Sequence, residues 1–391
     1  MKKIILFSNT AWYLYNFRLP LAQTLQQQGW QVVLVAPHDP YADRLVELGF
    51  AFIELNLQRR SLNPIQEFLL LTELYAILND EKPHVIMNFT VKCVVYGSLV
   101  AKLAGVKRRV NAVAGLGSVF SGQSMTLTLL RPVVKWLLKA SLSGPQAQCI
   151  VQNPDDEQLF LDNGIIQRQQ VNLIKGSGVD GSRFLPNLSK GMLSQGMNTR
   201  PARILFASRL LKSKGIYYFF NAATALGEQF EFLVAGEPDP GNPESVQDSE
   251  LKQVANTTGI RFLGHVDDMP DLLADVDLVV LPSEYGEGVP RILIEAAASG
   301  IPLVAFDMPG CREIVLDGSN GYLVARGNQS ALNHAIAKVF SSQEHYKNLA
   351  ESSRRHFMSE FEQQSVIERT LQVINHTELS PHPVSTPGRS G

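Results

Sequence analysis

The fold is decided by the run LVVLPSEYGEGVPRILIE, residues 278–295. It predicts a buried strand over Leu278–Leu281, a glycine-rich loop, and a helix that begins near Pro290, because proline suits the first turn of a helix. Glu287 lies in the loop, and Glu295 lies about a turn and a half into the helix. A strand, a loop and a helix in this order form the repeating unit of a parallel α/β sheet.

The same alternation of short apolar runs and longer helical patterns continues along both halves of the chain, as in βαβ units. The predicted strands of the first half are Ile4–Phe7, Val32–Ala36, Phe52–Leu55, Val85–Phe89, Val110–Val113 and Cys149–Val151. Those of the second half are Ile204–Ala207, Phe232–Ala235, Arg261–Leu263, Leu278–Leu281, Leu303–Phe306 and Tyr322–Val324. We therefore predict an α/β protein with two Rossmann-like, doubly wound domains.

The length of 391 residues favours two domains, since it exceeds what one hydrophobic core usually supports. A polar, Gly/Ser-rich stretch between the two sets of strands predicts a linker. A helix expected to end near Arg355 precedes a last amphipathic segment, which is expected to return to the first domain. The predicted parts are an N-terminal domain 1–186, a linker 187–200, a C-terminal domain 201–357, a returning helix 358–376 and a disordered tail 377–391.

The composition is that of an ordinary globular protein, with 45% hydrophobic residues, 18% charged residues and a net charge of -2. The absence of a basic excess disfavours nucleic acid as a partner. The three cysteines are far apart and predict neither a zinc site nor a disulfide framework. The apolar run Ile4–Phe7 is too short for a signal peptide, and no run is long enough for a spanning helix. We predict a cytoplasmic protein, with attachment to the cytoplasmic face of a membrane left open.

The loop and helix of residues 278–295 predict a phosphate site. Backbone N–H groups around Gly288 and Val289 would stand at the helix N-terminus, where unsatisfied donors and the helix dipole favour an anion such as a diphosphate. We interpret Glu295 as an acceptor for ribose hydroxyls and Glu287 as an acceptor for hydroxyls of a transferred sugar. The alternative is that both acids are solvated charges.

A second cluster is the run FASRLLKSKG, residues 206–215, in which cations follow a predicted strand. The carboxyl ends of parallel strands form the ligand side of such a sheet. Arg209 offers a planar fork of donors and Lys214 a mobile ammonium, so the pair suits the charge of a departing diphosphate. Lys212 is either a bystander or a participant.

Weaker candidates follow other strands. Gly236 and Val266 would frame a base pocket, although glycine after a strand is common in any βα turn. Gly117, in the run GLGS of residues 115–118, would bring backbone N–H groups near a phosphate or a reacting sugar. Arg18 and Lys92 would face an anionic acceptor. Each of these residues also fits a structural or solvated role.

A basic amphipathic stretch spans residues 127–142. Arg131, Lys135 and Lys139 recur at four-residue spacing between apolar residues, which is typical of a helix lying on a membrane surface. The pattern fits a core helix with one solvent-exposed basic face equally well, and Pro132 would shorten or bend the helix.

With these residues the chain resembles the retaining GT-B glycosyltransferases of family 4. Their E-x7-E signature is matched by Glu287 and Glu295, and Arg209 and Lys214 match as well. The resemblance reaches to about Ile374. It implies two Rossmann-like domains facing a central cleft, a donor that is commonly a UDP-sugar, no cofactor or obligatory metal, and transfer with retention.

Three segments, NFR at 16–18, FTVK at 89–92 and GLGS at 115–118, resemble more narrowly bacterial enzymes that extend polyprenyl-diphosphate-linked saccharides, including N-acetylgalactosaminyltransferases. This implies transfer of an N-acetylhexosamine or hexose to a lipid-linked acceptor at the inner-membrane surface, in surface polysaccharide or glycan synthesis. Many family members place a histidine where this chain has the run AGLG, residues 114–117, so no catalytic histidine is carried over. The leaving phosphate oxygen would then take the acceptor proton.

Two other functions share this architecture or ligand. A nonhydrolysing UDP-sugar epimerase would need acid and base groups at the sugar, and no convincing set is present. A non-catalytic sugar-nucleotide sensor would bind the donor without transferring the sugar. A nicotinamide-dependent dehydrogenase is disfavoured, because its GxGxxG motif is replaced by FSNTAW at residues 7–12.

Overall fold

The computed structural model describes residues 1–58, 63–113, 115, 125–186, 200–286 and 288–375, without the side chains of 125–130 and 228. Most of the predicted linker and the whole predicted tail lie outside these residues. The chain forms two compact units. The first contains Met1–Asn111, Leu142–Cys149 and the chain from Ile367 onward, and the second contains Ala112–Ser141 and Ile150–Val366.

The first sheet has seven strands in the order β3-β2-β1-β4-β5-β6-β7. Their bounds are Lys3–Phe7 (β1), Gln31–Ala36 (β2), Ala51–Glu54 (β3), Val85–Phe89 (β4), Arg108–Val113 (β5), Ala147–Val151 (β6) and Val171–Leu173 (β7). β1 pairs in parallel with β2 and β4, and β2 pairs in parallel with β3. The strand order reverses between β1 and β4, and such a switch point is where open α/β sheets bind ligands.

The second sheet is parallel throughout, with the order β10-β9-β8-β11-β12-β13. Its strands are Ala202–Ala207 (β8), Phe230–Ala235 (β9), Arg261–Gly264 (β10), Leu278–Leu281 (β11), Leu303–Phe306 (β12) and Gly321–Val324 (β13). Its strand order reverses between β8 and β11. The two strongest predicted clusters, residues 206–215 and 278–295, therefore leave the sheet on either side of one switch point.

Helices alternate with these strands and several begin with recognisable caps. Asn63, Asp39 and Asn153 each accept a bond from the first turn of a helix that has proline in that turn. Beginning in the first half of the chain, the α-helices are Ala11–Tyr13 (α1), Leu19–Gln27 (α2), Pro40–Glu47 (α3), Pro64–Glu81 (α4), Val91–Leu103 (α5), Met125–Leu142 (α6) and Pro154–Asp162 (α7). A π-helix, Leu14–Arg18, joins α1 to α2. The others are Ile216–Leu226 (α8), Asp248–Thr258 (α9), Met269–Ala274 (α10), Arg291–Ala298 (α11), Cys311–Ile314 (α12), Gln329–Val339 (α13), Gln343–Glu360 (α14) and Gln363–Asn375 (α15).

The predicted α/β class and every predicted strand are confirmed, with strand ends within two residues of those expected. The expected helix end near Arg355 is wrong, because α14 continues to Glu360 and buries Phe357 completely. The end of α15 is held within the first unit. The Arg108 guanidinium donates to the carbonyl oxygens of Val373 and Ile374, the latter over 2.8 Å, which satisfies acceptors at the helix C-terminus.

Candidate active site

The loops that follow β8 and β11 are pinned together in the second unit. The chain turns at Gly215 with a φ of +78°, and a Cβ there would lie 1.8 Å from the carbonyl oxygen of Pro282. Only glycine allows this approach. The Glu284 N–H also donates to the Ser213 carbonyl oxygen over 2.9 Å. The positions of the two loops are therefore fixed by backbone contacts.

This arrangement brings Lys214 to the loop that carries Glu287. The Lys214 ammonium lies 5.9 Å from the ring centroid of Tyr285, two residues before Glu287, a distance that suits a cation–π contact. Glu287 itself lies outside the described residues. The structure thus brings Lys214 to the loop that follows β11, and its contact with Tyr285 carried no sequence signal.

Arg209 is paired with a residue that the sequence analysis missed. Its guanidinium lies 2.8 Å from a carboxylate oxygen of Asp239. Asp239 is held in turn by Asn242 and by a bond from its own N–H to the Ser245 hydroxyl. The Arg209 side chain is 56% exposed, so the pair contributes at most about 1 kcal/mol. Arg209 is thus oriented by Asp239 but remains accessible to an anionic ligand.

Gly236 has a structural reason to be glycine. Its φ is +124°, and a Cβ there would lie 1.9 Å from the Ser208 carbonyl oxygen. Its N–H donates to the Gly264 carbonyl oxygen over 2.7 Å, so the ends of β8, β9 and β10 are tied together. Val266, the other weak candidate here, is half-buried against the core. The nucleotide-binding roles of both residues remain predictions.

The helix of the deciding run begins at Arg291, directly after Pro290 as predicted, and it buries Glu295. Arg291 lies one turn before Glu295, and its Nε donates to Glu295 Oε1 over 2.7 Å. Burial raises the pKa of the Glu295 carboxyl, and the charge and hydrogen bond of Arg291 oppose the rise. The Arg291 side chain is 33% exposed and that of Glu295 only 11%, so the arginine reaches the buried carboxylate from the surface. Arg291 is therefore the residue that holds Glu295 in place.

The backbone donor predicted at Val289 is already occupied in this structure. The Val289 N–H donates to Gln152 Oε1 over 3.2 Å, and both residues are buried. The expectation that this N–H is unsatisfied is thus wrong, because the Gln152 side chain supplies the acceptor that a buried N–H requires. Gly288 is buried beside it. A diphosphate at this helix start would have to displace the Gln152 amide.

Of the first-unit candidates, Lys92 and Arg18 have different surroundings. The Lys92 ammonium lies 2.7 Å from Glu67 and donates to the Gln58 carbonyl oxygen over 2.8 Å, so its charge is neutralised within the unit. Arg18 is buried, with 6% of its surface exposed. Gly117 lies outside the described residues.

Replacing Glu295 with glutamine is expected to flatten the pH dependence of stability. The raised pKa of Glu295 means that the folded protein holds this proton more tightly than the unfolded chain. Its contribution is therefore complete below the ordinary glutamate pKa of about 4.3 and is lost as pH rises through the folded pKa. Urea unfolding from pH 4 to 8 should show a smaller fall in unfolding free energy for Glu295→Gln than for the wild type. Glu351→Gln, at an exposed position, should behave as wild type, and an unchanged slope in Glu295→Gln would refute the assignment.

Comparison with known proteins gives a consistent result along the chain. A family model described as glycosyl transferase 4-like matches residues 3–145, and one described as glycosyl transferases group 1 matches residues 193–356. An N,N'-diacetylbacillosaminyl-diphospho-undecaprenol alpha-1,3-N-acetylgalactosaminyltransferase of Campylobacter jejuni is 27% identical over 370 residues, covering 93% of this chain and 95% of that protein. A UDP-Gal:alpha-D-GlcNAc-diphosphoundecaprenol alpha-1,3-galactosyltransferase of Escherichia coli is 26% identical over 77% of each chain.

Solved structures show the same fold. Sucrose-phosphate synthase of Thermosynechococcus elongatus superposes with a TM-score of 0.77 at 18% identity, covering 96% of this chain and 99% of that one. HepE of Anabaena, solved in complex with UDP, superposes with a TM-score of 0.75 at 19% identity, covering 96% and 100%. These likenesses establish the two-sheet GT-B architecture that the sequence predicted.

Proposed function

Since the chain belongs to the GT-B glycosyltransferases of family 4, with a 4-like domain followed by a group 1 domain, we propose that it transfers a sugar with retention from a UDP-sugar to a polyprenyl-diphosphate-linked saccharide. The sugar would be an N-acetylhexosamine or a hexose, as the sequence resemblance implies. Two relatives named above carry undecaprenyl diphosphate in the names of their acceptors, and this supports the choice of a lipid-linked acceptor.

The observation that carries the proposal is the pinning of the β8 and β11 loops at the switch point of the second sheet. It places Lys214 at the Glu287 loop, while Arg209 follows the same strand as Lys214. When the bond between the sugar and the diphosphate breaks, negative charge develops on the departing phosphate oxygen. Fixed cations at that position lower the barrier, because they stabilise the transition state more than the bound substrate.

The remaining side chains would position the donor, and the departing phosphate would itself accept the proton of the acceptor hydroxyl. Glu287 would accept hydrogen bonds from the sugar, and Glu295, held by Arg291, would accept them from the ribose. As the acceptor oxygen bonds to the sugar, its proton passes to the phosphate oxygen of the departing UDP, so no side-chain base is needed. Arg209 and Lys214 would supply the positive charge that a divalent ion gives other phosphate-transferring sites.

The lipid-linked acceptor implies work at a membrane surface, and exposed apolar side chains on two helices support this. Ile65, Phe68 and Leu69, which share one face of α4, are 59–72% exposed. On α6, Val133 and Trp136 are exposed among its three basic residues, and the helix continues through Pro132. The basic residues of α6 suit shallow insertion near anionic lipids, whereas α4 has only acidic charges and contributes its exposed apolar face alone. Among the described residues, none of the helices has the length and hydrophobicity needed to cross a bilayer.

A transfer assay tests the proposal. Purified protein should glycosylate a polyprenyl-diphosphate-linked saccharide when offered a panel of UDP-sugars, with equal rates in EDTA and in Mg²⁺, as detected by mass spectrometry. Proton NMR of the product should show the anomeric configuration of the donor. Product on soluble saccharides alone would remove the lipid from the proposal. A donor converted to its epimer, resolved by chromatography, would favour the epimerase, and donor binding without any product would favour the sensor.

A further inference from the structure

The switch point of the first sheet holds a buried arginine without a counter-charge. Arg18 is 6% exposed, and its guanidinium carbon lies 4.6 Å from the ring centroid of Phe89 and 5.5 Å from that of Tyr13. One Nη donates to the Tyr13 hydroxyl over 2.9 Å, while Nε has no hydrogen-bond partner. Among the residues that the structure describes, no carboxylate lies within ion-pairing distance of Arg18.

Such a charge is unfavourable for the folded protein by itself. A buried cation loses its hydration, and the loss is normally offset by a carboxylate or by a full set of hydrogen bonds. The faces of Phe89 and Tyr13 attract the guanidinium, but they leave its net charge and its Nε donor unsatisfied. An anion bound at Arg18 would supply both the missing acceptor and the missing charge.

The backbone beside Arg18 is strained in a way that suits a ligand site. Thr90, which follows Phe89 at the end of β4, has a φ of +70° and a ψ of 152°. This region is almost exclusive to glycine, and strain of this kind concentrates at ligand sites. Thr90 is also the N-cap of α5, yet its side chain makes no capping bond. The positive end of the α5 dipole therefore lies next to the Arg18 cluster without a side-chain cap.

A third group without a hydrogen-bond partner is the Ser8 hydroxyl, directly after β1. Phe7 pairs with Asn88 in the sheet, so the residues that follow, Ser8 and Phe89, lie side by side. The Ser8 hydroxyl is fully buried and has no hydrogen-bond partner. The buried hydroxyl of Ser8 therefore lies at the end of β1 beside Phe89, whose ring contacts the Arg18 guanidinium.

We propose that Arg18, Ser8 and the start of α5 bind a phosphate group of the acceptor, namely the diphosphate that joins its saccharide to the lipid. The choice of the acceptor rests on the proposed function. The cations assigned to the donor diphosphate, Arg209 and Lys214, belong to the second unit, whereas all residues of this proposed anion pocket belong to the first. Inorganic pyrophosphate carries the same chemistry without lipid or sugar, and it serves as the probe.

Calorimetric titration with pyrophosphate tests the pocket. The wild type should bind pyrophosphate in the presence of saturating UDP, and Arg18→Met, which keeps the apolar stem over Phe89, should bind it at least tenfold more weakly. Arg44→Met is the matched control, since Arg44 is exposed and stacks 4.9 Å from the Tyr41 ring centroid; its affinity should be unchanged. Without ligand, Arg18→Met should unfold at a temperature no lower than the wild type, because it removes an uncompensated buried charge.

Two results would overturn the pocket: no pyrophosphate binding by the wild type at saturating UDP, or unchanged binding by Arg18→Met. In the transfer assay, Arg18→Met should raise the KM for the lipid-linked acceptor at least tenfold and leave the KM for the donor unchanged, with partial recovery in Arg18→Lys. If the wild type binds pyrophosphate through Arg18 but transfers no sugar, the proposed function fails and the anion pocket stands. If it transfers sugar and Arg18→Met keeps the wild-type acceptor KM, the pocket assignment fails alone.

Discussion

Replacing Lys214 with alanine is expected to lower kcat by about 10²–10³-fold, the usual loss when one preorganised donor to a developing negative charge is removed. The side chain lies over Tyr285 beside the Glu287 loop, where the charge of the departing diphosphate would appear. The fold should survive, because backbone contacts at Gly215 and Ser213 fix the positions of the two loops.

The measurement is steady-state transfer with saturating donor and acceptor, accompanied by thermal unfolding. Lys212→Ala is the matched control, since Lys212 lies in the same 3-10 turn with an exposed side chain. It should retain wild-type stability, because surface substitutions usually change the free energy of unfolding by no more than about 0.5 kcal/mol, and it should retain wild-type kcat because its side chain points to solvent. Wild-type turnover in Lys214→Ala, or equal losses in both variants, would remove Lys214 from the catalytic assignment.

The central strands of this fold could be predicted because they are covered on both faces. Such a strand is a continuous apolar run, as LVVL at Leu278–Leu281 is, with no exposed face to interrupt it. β7 was missed for the converse reason. Its three residues, Val171–Leu173, are all only half-buried, and so short a run is not distinguishable from a loop.

The sequence predicts which residues lie at the site, but not the residues that they contact. Arg209, Lys214 and Glu287 follow two strands that a doubly wound sheet places side by side, so their common location follows from topology. The hydrogen-bonding partners of the site residues cannot be predicted from topology in this way. Asp239 is 30 residues from Arg209 and Gln152 is 137 residues from Val289, and only the folded chain brings them together.

One missed partner was readable from the sequence. Arg291 and Glu295 are four residues apart on a helix, a spacing at which opposite charges meet. The backbone of Thr90 is a different case, because a β-branched residue gives no sequence sign of a positive φ.

Replacing Gly215 with alanine is expected to inactivate the protein by separating the two pinned loops. A left-handed conformation costs a residue with a Cβ about 1–2 kcal/mol, and the new methyl group would also lie 1.8 Å from the Pro282 carbonyl oxygen. The clash involves backbone on both sides, so it is relieved only if the β8 loop moves away from the β11 loop. Because displacements of about 1 Å can cost on the order of 100-fold in rate, kcat should fall further than stability does.

Gly259→Ala is the control that introduces the backbone strain of Gly215→Ala without the steric clash. Gly259 follows α9 with a φ of +71°, close to the +78° of Gly215, but a Cβ there would meet nothing within 4 Å. Urea unfolding should show a loss of about 1–2 kcal/mol in Gly259→Ala and a larger loss in Gly215→Ala, while transfer by Gly259→Ala stays at the wild-type rate. If Gly215→Ala loses only the strain energy and retains kcat, the contact between Gly215 and Pro282 does not position Lys214, and hydrogen bonds such as that from Glu284 N–H to the Ser213 carbonyl oxygen must hold the loops together.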